Sequence, residues 1–190
     1  MLSLNASTFL RMKTMSRIKL AMALAIGATN FFGSVAYAFE QWSMNATSCT
    51  PDAASIRNNL YIGTAGTVKF APGKVGKIVL YCPVPTLSWT PRSIAIQYYD
   101  DTAAPGNHVT AQFIKMSLGN ATGSGLIQSL VTVDSDVLAV PTTGGNSKGS
   151  IRTFVHAYEP KFNAYYIRVD IDRNNTTANE TIYAVILQGG

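Results

Sequence analysis

From Asn163 to Asp172 the chain alternates in character residue by residue. Tyr165, Ile167, Val169 and Ile171 fall on one side, and Tyr166, Arg168, Asp170 and Asp172 on the other. A period of two marks a strand with one face in a core and the other in water. No other feature constrains the fold as much, because the pattern recurs. Over Lys77–Val84, Ile78, Leu80 and Cys82 oppose Val79, Tyr81 and Pro83, and over Ser93–Tyr99, Ile94, Ile96 and Tyr98 fall together. His108–Leu118, Leu126–Val133 and Ile151–Tyr158 repeat it less regularly. Thr181–Leu187 is apolar on both faces, which predicts a central strand.

Turn residues separate these runs: Ala71-Pro72-Gly73, Ala104-Pro105-Gly106-Asn107, Gly123-Ser124-Gly125, Thr142–Ser147 and Asn174-Asn175. Around eight short strands punctuated in this way predict an all-β protein. The expected form is an antiparallel β-sandwich, jelly-roll or immunoglobulin-like, with a closed barrel as the lesser option. Phe39–Thr50 reads as an extended tail or edge strand. One short helical turn is expected over Asp52–Arg57, with Thr50 as N-cap, Pro51 at the first helical position and Asp52 as an early acid.

Residues 1–38 have the layout of a cleaved signal peptide. Arg11, Lys13, Arg17 and Lys19 precede an apolar stretch that begins at Leu20 and ends at Ala36-Tyr37-Ala38, a small-x-small cleavage signature. Met15 offers a start that would give a more usual leader length. What remains is a single domain, 39–190, expected to be secreted or periplasmic and in a compartment that permits disulfides. The leader also holds four of the fifteen Lys and Arg and none of the ten Asp and Glu. The mature chain therefore balances eleven basic against ten acidic residues. That near-neutrality, without a basic cluster, argues against a nucleic-acid partner. No second apolar run approaches the ~20 residues of a membrane span, so no integral membrane association is expected after cleavage.

Two cysteines remain, Cys49 and Cys82. In an exported chain an isolated pair reads as one disulfide. The alternatives are a metal site or a reactive thiol, but two cysteines without a nearby histidine make a poor zinc site.

Three stretches carry a resemblance. They are Ser48-Cys49-Thr50-Pro51-Asp52 through Ile56-Arg57, then Gly76-Lys77-Ile78-Val79-Leu80-Tyr81-Cys82-Pro83-Val84, and Tyr166-Ile167-Arg168-Val169-Asp170. Together they resemble a group of small exported bacterial β-sandwich proteins of unknown role. The resemblance implies a secreted sandwich with its two matched cysteines joined, and it implies no activity.

Few residues carry catalytic chemistry. Gly145-Asn146-Ser147-Lys148-Gly149 fits G-x-S-x-G, but a nucleophile elbow needs a strand before the serine and a helix after it. Here a Gly-rich loop precedes and a strand follows. His108 and His156 lack a recognisable nucleophile or orienting acid. Asp170-x-Asp172-x-Asn174 matches the start of a calcium loop, yet Asn175 stands where glycine is expected and Glu180 falls one place early. No cofactor is expected otherwise. Asp100-Asp101 and Asp134-x-Asp136 read as solvated turns. For sugar stacking the pool is Trp42, Trp89, Tyr98, Tyr99, Tyr165 and Tyr166, with Trp89, Tyr99 and Tyr166 as the candidates for exposure.

These features predict a non-catalytic exported module that binds or builds, with a glycan or a protein as partner. One alternative is a fimbrial subunit, which would leave an edge open for a donated strand. Another is a carbohydrate-binding or small glycan-active protein, in which paired carboxylates would face a cleft.

Overall fold

In the computed structural model, residues 40–58, 60–100, 106–118, 125–138 and 148–190 are described. The leader expected at 1–38 and the Ser147 of the G-x-S-x-G match lie outside them. Among the described residues eleven strands form two antiparallel sheets. They are β1 (Gln41–Asn45), β2 (Thr50–Pro51), β3 (Tyr61–Thr64), β4 (Thr67–Phe70), β5 (Gly76–Pro83) and β6 (Ser93–Asp100), followed by β7 (His108–Ser117), β8 (Ile127–Asp134), β9 (Lys148–Thr153), β10 (Asn163–Arg173) and β11 (Glu180–Gln188). The first sheet runs β3-β4-β11-β6-β9, with β1 also pairing β11, and the second runs β2-β5-β10-β7-β8. Numbered from β4, the first sheet holds strands one, eight, three and six, and the second holds two, seven, four and five. That interleaving is the jelly roll, which resolves the choice between the two sandwich shapes.

The inward positions expected from alternation are the core. Ile78, Leu80 and Cys82 on β5 and Ile167, Val169 and Ile171 on β10 are at most 1% exposed. They pack with Ile94, Ile96 and Tyr98 on β6 and Ile182, Val185 and Leu187 on β11. Two bulges adjust the register, one on β11 between Ile182 and Ala184 and one where β7 meets β8 between Phe113 and Ile114. β11 is flanked by β6 over Glu180–Gln188, and on its other side by β4 at Thr181–Ile182 and by β1 at Ala184–Gln188. The last strand is central, as its doubly apolar sequence predicts.

Three expectations are corrected. The short hairpin β3–β4 has no counterpart among the expected strands, since four-residue strands give alternation little room. Its turn places Ala65 at φ 50° and Gly66 at φ 84°. The helical turn is α1 (Ala53–Arg57), but Thr50 and Pro51 belong to β2 and the cap is Asp52, whose Oδ1 accepts the Ser55 N–H at 2.7 Å. Finally, β9 ends at Thr153, so Phe154–Tyr158 lies outside the sheet despite its alternation. There Phe154, His156 and Tyr158 are half-buried while Val155, Ala157 and Glu159 are exposed.

Cys49 and Cys82 are bonded, tying the link between β1 and β2 to β5. A loop of 33 residues corresponds to roughly 3–4 kcal/mol of stabilisation in a chain-entropy estimate.

A candidate binding face on the five-stranded sheet

The outward side chains of β10 meet those of its neighbours in rows across the sheet. Arg168 lies opposite Tyr81 on β5 and Gln112 on β7. Tyr81 in turn faces Thr50 on β2, and Gln112 faces Thr132 on β8. These five residues make one continuous row at the strand spacing of about 4.8 Å. Toward the start of β5 the next rows are Val79–Asp170–Thr110–Asp134 and Lys77–Asp172–His108. In the other direction Tyr166 stands between Pro83 and Ile114.

Charge is ordered along this face. Asp170 is 7% exposed and accepts a 2.8 Å hydrogen bond from Arg168 Nε. The Lys77 ammonium lies 3.6 Å from Asp170 Oδ2 and 3.2 Å from Asp172 Oδ2. His108 Nε2 is 3.4 Å from Asp172 Oδ2, and its Nδ1 is 3.9 Å from Asp136 Oδ2. The bond that Arg168 donates to Asp170 raises its guanidinium pKa against the opposing effect of burial. Burial, with Asp100 nearby, raises the carboxyl of Asp136, and His108 opposes the rise. The network holds Arg168 beside two rings, Tyr81 and Tyr166, which meet edge-on at 5.9 Å between centroids. Tyr81 is 39% exposed. Fixed rings next to a fixed hydrogen-bond fork can stack on an apolar patch of a ligand and bond its hydroxyls.

The residues proposed from sequence are dispersed. Asp170 and Asp172 do share one face, and the cation between them is Lys77. Asn174 lies beyond β10, with its N–H donating to Asn107 Oδ1 at 2.7 Å. Glu180, the near-miss twelfth ligand, is 1% exposed with Oε2 3.9 Å from Arg173 Nε. Arg173 also bonds the carbonyls of Lys74, Asn175 and Thr176 and stacks over Phe70. Among the described residues no group of three or more His, Cys, Asp or Glu side chains is placed to hold a metal ion.

Of the rings, Tyr166 is on the candidate face. Tyr99 is on the outer face of the opposite sheet, opposite Thr181. Trp89 and Trp42 are half-buried against the core, and Tyr98 and Tyr165 lie within it. Sequence reasoning missed Tyr81 among the rings of this face, although its alternation between Leu80 and Cys82 already placed it outward. Asp100 and Glu180 pair in register across β6 and β11. Both are buried in the end of the sandwich rather than facing a cleft, and Asp100 accepts a hydrogen bond from the buried Ser135 hydroxyl at 2.9 Å.

A concavity of about 440 Å³ runs along the sandwich edge between β8 and β9. It is lined by Ser129–Thr132 and by Arg152, Thr153 and Phe154. Arg152 Nη1 bridges it to the Thr132 carbonyl at 3.1 Å. Among the described residues no helix is long and apolar enough to cross a membrane.

No protein-family model and no curated protein matches the sequence. Among solved structures the chain is similar to a low-affinity xylan-binding module from Roseburia intestinalis. That match has 9% identity and a TM-score of 0.38, covering 78% of this chain and 94% of the module. It is also similar to CsCBM6-3 from Clostridium stercorarium, solved in complex with cellobiose, at 13% identity and a TM-score of 0.40, covering 78% and 94%. A family two carbohydrate esterase from Cellvibrio japonicus matches at 10% identity and a TM-score of 0.37, over 80% of this chain and 34% of the esterase. Likeness this distant brings no ligand across to this chain, and what it binds is read from its own surface.

Proposed function

We propose that the protein is an exported, non-catalytic module that binds a glycan on the outer face of its five-stranded sheet. The observation that carries this reading is the Tyr81–Tyr166 ring pair beside an Arg168 held in place by Asp170. Rings and a guanidinium fork on neighbouring strands supply the two things a sugar offers partners for, a flat apolar face and vicinal hydroxyls. Each cation on the face has a carboxylate partner, which favours an uncharged chain over an acidic one. The row from Thr50 to Thr132 runs across all five strands of the sheet, so it suits an extended glycan rather than a buried monosaccharide. Binding is favoured over hydrolysis because the acids on this surface, Asp170 and Asp172, are engaged by Arg168, Lys77 and His108, while Asp100 and Glu180 are buried. A strand donated beside β11 would find no slot, since β11 is flanked on both sides.

Titration calorimetry against a panel of soluble neutral polysaccharides tests the proposal. Tyr81→Ala and Tyr166→Ala should each weaken binding roughly tenfold, the factor that goes with 1.4 kcal/mol, while Tyr99→Ala on the opposite sheet leaves it unchanged. Equal losses from all three, or no binding to any glycan by the disulfide-bonded protein, would remove the reading.

A further inference from the structure

Beyond β9, Phe154 keeps one sheet bond, from its N–H to the Arg92 carbonyl at 2.8 Å. The chain then runs extended across to the other sheet, and its inward residues gather round Tyr165 on β10. Phe154 packs on Phe113 at 5.5 Å between centroids, and Phe113 stacks on Tyr165 at the same distance. His156 lies 5.8 Å and Tyr158 4.5 Å from the Tyr165 ring. Tyr158 reaches onward, its hydroxyl donating to the Pro85 carbonyl at 3.0 Å and accepting from Leu87 N–H at 3.4 Å. The segment thus holds down the chain that leaves β5.

One hydroxyl governs this packing. Tyr165 Oη accepts the Glu159 N–H at 3.1 Å and lies 3.1 Å from His156 Nε2. A phenol has one proton to give. With Glu159 donating to the oxygen, that proton is available to Nε2 in the tautomer of the neutral imidazole that leaves Nε2 bare, and this is the arrangement on which the strap rests. A protonated His156 carries hydrogens on both nitrogens. Two donors then converge on Oη, and its own proton loses its acceptor at a residue 5% exposed.

We infer that Val155–Glu159 is a strap released by a proton: neutral His156 accepts the Tyr165 hydroxyl and holds it shut, and protonated His156 sets it free. The titratable and charged groups facing His156 are Tyr165 on β10, Lys115 on β7, and Tyr158 and Glu159 on the strap itself. Burial and Lys115 disfavour the imidazolium, and Glu159 favours it. Phe154 also lines the groove between β8 and β9, so release would alter that edge as well as the Pro85–Leu87 segment.

Amide exchange followed by NMR on the disulfide-bonded protein tests the strap, alongside the titration of the His156 ring protons. Between pH 7.5 and pH 5, exchange at Glu159 and Leu87, corrected for intrinsic rates, should quicken roughly five- to tenfold, the factor carried by one buried hydrogen bond. The midpoint should coincide with that of His156. His156→Gln keeps an acceptor at every pH and should abolish the change, whereas Tyr165→Phe should make both amides fast throughout. If His156 titrates in the wild-type protein while Glu159 and Leu87 stay protected, the proposal fails. It fails equally if His156→Gln shows the same acceleration.

Discussion

The two sheets of this sandwich share a core but not a surface. On the five-stranded sheet the outward residues of β10 and its neighbours form a linked array, from His108 and Asp172 through Lys77 and Asp170 to Arg168. On the opposite sheet the outward rows are Asn45–Ala184–Gln97, Ser43–Ile186–Ala95–Ile151 and Lys69–Thr181–Tyr99. None of the ion pairs among the described residues lies on that second face. A strand face exposed only to water needs no order, and the second face mixes amides and hydroxyls with the apolar Ala184, Ile186, Ala95 and Ile151 in no ordered charge array. Ordering a long exposed side chain such as Lys77 costs rotamer entropy that its surface pair with Asp172 barely recovers. An array that is nonetheless ordered, and adjoins two fixed rings, points to a surface organised for a ligand.

The largest perturbation falls on the anchor of the five-stranded sheet. Replacing Cys49 and Cys82 together by Ala should cost roughly 3–4 kcal/mol, read as a shift in the urea midpoint of unfolding. A loss this size centred on β5 should also weaken the proposed glycan binding indirectly, whereas reduction that leaves stability unchanged would contradict the structural role. Next comes the array itself. Asp170→Ala removes the acceptor of Arg168 Nε and one partner of Lys77, and should cost about 1.5–3 kcal/mol, the range of a hydrogen bond to a charged group. Gln97→Ala at an outward position of the other sheet should stay within about 0.5 kcal/mol. Equal costs at the two sites would erase the contrast between the faces.

Much of this architecture can be read from residue order. The alternation of β5, β6 and β10 locates the core to the residue, because period two leaves no freedom about which side chain points inward. The Tyr166, Arg168, Asp170 and Asp172 face is legible for the same reason. Its cross-strand partners are not. Tyr81, Lys77 and His108 lie far from β10 in sequence and reach it only through a register that no local pattern encodes. Thus the pair Asp170 and Asp172 suggests calcium when read alone, and gains Lys77 only when β5 is laid beside it. Phe154–Tyr158 shows the converse limit: alternation reports which side chains are inward, not whether the backbone has a partner strand.

The acid dependence of α1 sharpens the comparison further, since this helix is joined to the five-stranded sheet through Ser55, whose hydroxyl accepts the Val79 N–H at 3.0 Å. Burial pushes the Asp52 carboxyl up, but hydrogen bonds from Ser55 and Ala54, aided by Arg168, bring its pKa below the ordinary 3.8. A carboxylate depressed in the folded state contributes stability above its unfolded pKa and loses that contribution as pH falls through the folded one. Asp52→Asn, which caps without titrating, should therefore flatten stability below about pH 4, while Asp52→Ala should cost about 1 kcal/mol at neutral pH. Thermal melts from pH 7 to pH 2 would separate these outcomes. A wild-type acid slope that survives in Asp52→Asn would assign it to other carboxylates, such as those of the array.

The smallest effect belongs to the sheet without the array. Between β3 and β4 the two turn residues, Ala65 and Gly66, both have positive φ, the geometry that fits the twist of a two-residue hairpin. Glycine takes this conformation freely, but an alanine there brings its Cβ too near the carbonyl, at a cost of roughly 1–2 kcal/mol. Ala65→Gly relieves that strain while adding freedom to the unfolded chain, worth about 0.4–1 kcal/mol in the opposite direction. The net expectation is a gain of about 0.5–1 kcal/mol in urea unfolding, with glycan affinity untouched because the hairpin is in the other sheet. Ala65→Asn should recover part of the gain, since asparagine tolerates the left-handed region better than alanine. A change in binding from either substitution would mean that the two faces are coupled through the core, and the independence assumed in comparing them would have to be given up.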